Sequence, residues 1–111
     1  MPILNTVIGG GGGSGDKALF FSVELLYSDW QDDDEDITVS YQEVSDENFF
    51  IEGYSYLVSP YQDDYNDYID ASIRAFDVNT EGKMMFVCLR DARPTKNLQV
   101  DILRIEEKYD E

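Results

Sequence analysis

Carboxylates are the side chains of this sequence that occur in numbers and at spacings able to do chemistry: 24 Asp and Glu stand against 8 Lys and Arg, with no His. The missing imidazole removes the commonest general base and the commonest metal ligand. Two carboxylates can divide acid and base roles, but among 24 acids some pair always falls close, so proximity alone singles out no pair. The one thiol, Cys88, lies in the apolar run Met84-Met85-Phe86-Val87-Cys88-Leu89 with no His to activate it, and reads as a small core residue. Asp32-Asp33-Asp34-Glu35-Asp36-Ile37, taken on to Glu43, puts carboxylates at positions 1, 3, 5 and 12 of a calcium loop. Position 6 must turn sharply and takes Gly; here it is the β-branched Ile37, so the run reads as a solvated acidic turn, with a looser, weak divalent-cation site among the five acids as the competing reading. Adjacent acids repel, and their protonation is expected to favour the fold as pH falls. Gly9 to Gly13 precedes neither a phosphate-loop Lys nor a dinucleotide fingerprint. The expectation is a protein that is not an enzyme, with no cofactor and no resident metal.

The charge is uneven. Fifteen acids and no base stand between Lys17 and Arg74, whereas the residues from Arg74 onward are nearly balanced. The acidic half also holds Trp30 and seven of the eight tyrosines. Aromatic side chains are enriched in interface cores, and a merely solvating surface has no need of them. Asp29, Trp30, Asp32, Asp33, Asp34, Glu35 and Asp36, together with Tyr61, Asp63, Asp64, Tyr65, Asp67 and Tyr68, are therefore candidates for an acidic, aromatic interface; the competing reading is half-buried strand tyrosines with wet hydroxyls. A net charge of −16 opposes binding to nucleic acid or to an anionic membrane. Other protein subunits, in a homo- or hetero-oligomeric assembly, are the expected partners.

The elements that must position these groups follow period two. With 42% hydrophobic residues in 111, the chain can bury one core of ordinary size. Residues 17–27 place Leu19, Phe21, Val23 and Leu25 on one face. Alternation recurs over 37–41 and 68–78, residues 49–58 are aromatic and β-branched with Gly53 as a bulge or close approach, and Asn79-Thr80-Glu81-Gly82 reads as a hairpin loop into 83–90. A last strand begins at Leu98. About six strands with turns every ten residues or so indicate an all-β fold, a small antiparallel β-sandwich or barrel. Residues 64–76 also fit helical spacing; strict alternation and the following turn favour a strand.

Composition breaks at Gly9 to Gly15, which hold six of the eight glycines. The chain thus divides into an N-terminal arm, residues 1–15, and an acidic β domain, residues 16–111. Ile3, Leu4, Val7 and Ile8 form a short β-favouring segment on a glycine tether, Gly9, Gly10, Gly11, Gly12 and Gly13, and this pattern suits docking into a neighbour's sheet edge. An engineered junction is the competing origin of the glycine run. Leu4-Asn5-Thr6-Val7-Ile8-Gly9-Gly10 resembles the openings of small tail- and virion-associated proteins of bacteriophages. That resemblance covers residues 4–10 and implies a structural or adaptor subunit of a virion, located in the particle or the host cytoplasm. No basic, apolar leader opens the sequence, so export by a signal peptide is not expected. Two other functions fit the composition: an acidic inhibitor imitating DNA to block a nucleic-acid-binding or host-defence enzyme, and a receptor- or glycan-binding head built on Tyr61 to Tyr68.

Overall fold

The computed structural model describes residues 18–107, so the arm lies outside them. The expected β architecture is present, as two antiparallel sheets packed face to face. One sheet has the order β1 (Ala18–Leu25), β7 (Leu98–Glu106), β4 (Tyr54–Pro60). The other runs β2 (Gln31–Asp32), β3 (Val39–Ser45), β6 (Lys83–Leu89), β5 (Arg74–Val78). Among the described residues there are seven strands rather than six; the extra one, β2, is a two-residue bridge to β3 that leaves almost no periodic signal.

The predicted inner face of β1 is observed. Val23 and Leu25 are buried and Phe21 packs on the core, opposite Val100, Leu98 and Ile102 of β7. From the facing sheet, Met84, Phe86 and Cys88 of β6 complete the core, with Phe86 fully buried. Strand β3 turns the less expected side inward. Ser40 and Gln42 are buried, and their polar atoms find partners: Ser40 Oγ donates to Asp32 and accepts from Arg93, and Gln42 Nε2 donates to the Leu26 carbonyl at 3.1 Å. Buried polar groups matched in this way avoid the desolvation cost of an unmet donor.

Two strand boundaries need correction. Residues 49–53 are not strand: Phe49 leaves the sheet to stack edge-on against Phe21 and Tyr56, both at 5.7 Å, and Gly53, at φ 93°, turns the chain into β4. Residues 68–73 are not strand either. A short helix, α1 (Tyr65–Asp70), ends with Ser72 at φ 52°; the Ser72 N–H bonds the Ile69 carbonyl and the Ile73 N–H bonds that of Tyr68. This is the paired closure that caps a helix through a left-handed residue, here Ser where Gly is usual. The alternation survives only from Arg74 onward, and Ile69, in the helix, is half exposed while Ala71 and Ile73 are buried. The hairpin loop is as expected: the Asn79 side chain accepts from the N–H groups of Glu81 and Lys83, and Gly82 has φ 78°.

Candidate functional site

The predicted acidic and aromatic residues separate into two groups and a remainder in the core. Trp30 and Tyr68 are buried, 6% and 8% exposed, and belong to the hydrophobic core rather than to a surface. Burial raises the Tyr68 phenol above its ordinary pKa. Tyr61 and Tyr65 are exposed, as is Asp29 at the end of a single 3-10 turn, Tyr27–Asp29.

The connection between β6 and β7 lies between the two groups of acids and carries cations to both. Asp32 pairs with Arg93 and, at 3.5 Å, with Arg90. Arg90 also donates to the carbonyls of Asp33, at 2.9 Å, and Asp36. Lys96 bridges Asp67 at 3.2 Å and Asp64 at 3.5 Å, and the other Asp64 oxygen accepts the Gln99 N–H at 2.7 Å. Asp63 stands beside this pair in the turn Gln62–Asp64. Hydrogen bonding and charge from Asp67, joined by Asp64, hold Lys96 above the usual lysine range. The division between acidic first half and mixed second half is thus partly internal complementarity.

Within the run 32–36 the carboxylates turn back on the chain. Asp33 accepts the Glu35 N–H at 2.8 Å, and Asp36 accepts the Thr38 N–H at 2.9 Å and the Thr38 hydroxyl at 2.5 Å. Those Thr38 bonds, side chain first, hold Asp36 below the ordinary carboxylate range, with Arg90 adding to the effect. For Asp36 this reverses the expected repulsion, since a depressed folded pKa stabilises above the unfolded value and the contribution is lost on acidification. Asp34 and Glu35 project to solvent. Among the described residues no group of three or more Cys, Asp or Glu is placed to hold a metal.

A different feature brings together residues that the sequence reading did not connect. Strands β4 and β5 are the outer strands of their sheets on one side of the sandwich, and between them runs an open cleft of about 450 Å³. One wall is β4 from Ser55 to Val58, the other is Ala75, Phe76 and Asp77, and Tyr68 and Met84 line it from the core. Among the described strands β4 pairs only with β7, so alternate N–H and C=O groups along its free edge face the cleft. Leu57 and Phe76 stand at its lips, 60% and 53% exposed. The outer face beside Leu57 continues apolar through its register partner Leu103 to Phe20. The other lip is blunted. Ala75 pairs with Phe86 and Val78 with Met84, so one extra residue bulges from β5, and the Val78 N–H is bonded by the Asp77 side chain. The cleft therefore offers one straight strand edge and an apolar lining, which is what an extended segment needs for pairing. Its signal in the sequence was weak, because Leu57 and Phe76 look like ordinary strand residues until the strand order is known.

Compared with known proteins, the chain matches no family, no curated protein and no solved structure.

Proposed function

We propose that this protein is a non-enzymatic structural or adaptor subunit that joins a multi-subunit assembly by accepting an extended segment at the β4 edge. The observation that carries this reading is the open cleft between β4 and β5, where the seven-residue β4 has an edge that no described strand pairs and Leu57 is exposed beside it. A long free edge with an apolar flank is a liability in an isolated protein and a joint in an assembled one. The reading of the assembly as a bacteriophage particle is supported by the resemblance of residues 4–10.

The DNA-imitating inhibitor has weaker support. Asp32, Asp64 and Asp67, in the two acidic stretches it depends on, already face Arg93, Arg90 and Lys96. The sugar-binding head relied on Tyr61, Asp63, Asp64, Tyr65, Asp67 and Tyr68; Tyr68 is in the core, and Asp64 and Asp67 hold Lys96.

The test follows the tagged full chain in lysate of its own host on a density gradient. Wild type is expected in fast-sedimenting fractions and Leu57→Asp among free monomers, with unchanged far-ultraviolet circular dichroism. Wild type found only as free monomer, or wild type and variant sedimenting alike, overturns the proposal.

A further inference from the structure

We propose that the segment seated in the β4–β5 cleft is the Ile3-to-Ile8 arm of a second copy of this chain, so that copies are linked arm to edge; this rests on the strand-accepting reading above. Three observations converge. The first is length: six residues in extended form span about 20 Å, close to the roughly 23 Å of seven-residue β4. The second is charge. Residues 1–15 contain no acidic or basic side chain, in a chain of net charge −16, so the arm is the part of one copy that can approach another without repulsion. Its Ile3, Leu4, Val7 and Ile8 offer apolar surface suited to Leu57, Val58, Ala75 and Phe76.

The third observation is where the arm begins. It joins the domain at Ala18, the first residue of β1, and β1 is the edge of its sheet opposite β4. With only three strands the sheet is about 10 Å wide from β1 to β4, so the arm also reaches its own cleft, and hydrogen exchange at β4 separates the two seats. Residues 9–17 span up to about 30 Å when extended, enough to leave one domain from the β1 side and reach the β4 side of a neighbour. Glycine in this stretch allows either hand of turn at the junction.

The experiment uses full-length chains and light scattering over a concentration series. The arm variant, Ile3→Asp with Val7→Asp, keeps an intact cleft; the edge variant, Leu57→Asp, keeps an intact arm. Wild type is expected to gain mass with concentration, and each variant alone to remain at monomer mass. Mixed in equal amounts, the two variants should form a species of twice the monomer mass, one good arm in one good edge. A synthetic peptide of residues 1–10 should bind the arm variant and bind the edge variant at least tenfold more weakly. Circular dichroism melting of each variant controls for folding, and Leu57→Ser serves as a milder edge variant.

If the variants fail to complement on mixing, the exchange between copies is overturned. An arm variant that associates like wild type overturns the arm as occupant while leaving the edge as a joint for another protein. Monomeric wild type whose β4 amides become less protected from hydrogen exchange when the arm is mutated shows the arm seated on its own domain, and also overturns the proposal.

Discussion

Replacing Asp32 with Ala sets two physical expectations against each other. If the acids of residues 32–36 mainly repel, removing one should stabilise the fold. If Asp32 instead anchors the β6–β7 connection, its loss should destabilise, because Arg93, Arg90 and the buried Ser40 hydroxyl all meet its Oδ1. The Asp32 side chain is 56% exposed and that of Arg93 36%, so the ion pair is solvent-screened and contributes only about 0.2 to 1 kcal/mol. The bond from buried Ser40 adds roughly 0.5 to 1.5 kcal/mol. The expected loss is about 1 to 2 kcal/mol, which lowers Tm by roughly 5 to 15 °C in a domain of this size. Thermal melts of Asp32→Ala, Arg93→Ala and the double variant close a cycle, with an expected coupling of about 0.2 to 1 kcal/mol. An increase in Tm for Asp32→Ala, or a coupling of opposite sign, would refute the anchoring argument.

Acid titration should separate Thr38→Val from wild type in a defined window. Asp36 is depressed by its Thr38 bonds, so wild type should be the more stable above the ordinary Asp value of about 4, with the gap closing as pH falls below it. Cys88 is buried and burial raises its thiol pKa; a disulfide reagent is expected to label it only after denaturant unfolds the domain, and rapid labelling of native protein contradicts the packing. Ser72→Gly relieves a left-handed serine at the helix end and should raise stability by up to about 1 kcal/mol in urea unfolding, whereas Gly82→Ala should lower it by about 1 to 2 kcal/mol. Association of copies should strengthen as salt rises from about 50 to 300 mM, since screening weakens repulsion between like-charged domains; weakening over that range would show that charge attraction, not the uncharged arm, joins the copies.

Local pattern made the strands legible, and the partners of those strands were not. Leu19, Phe21, Val23 and Leu25 announced the inner face of β1 because every second residue is apolar and the face is flanked by Ser22 and Glu24. In β3 the alternation was equally visible, but its direction was hidden: Ser40 and Gln42 can turn inward only because Arg93, Asp32 and the Leu26 carbonyl arrive from distant parts of the chain. Residues 64–76 carried two periods at once, and the closure at Ser72 divides them into a helix followed by a strand. The acidic stretches are visible as segments of the sequence, while their cations, supplied from residues 90–96, depend on tertiary folding. The cleft was least legible of all, because an edge is a property of strand order and no residue type records it.

The bulge in β5 fixes the valence of the joint. With the Val78 N–H already satisfied by Asp77 and the ladder to β6 interrupted between Ala75 and Val78, that lip cannot zip a guest along its length, and only β4 can. The cleft then seats one guest, on β4, and a copy with a single arm donates once. Linkage of that kind is head-to-tail and unbranched: successive copies repeat one rotation, which yields a ring when the rotation closes on itself and a filament when it does not.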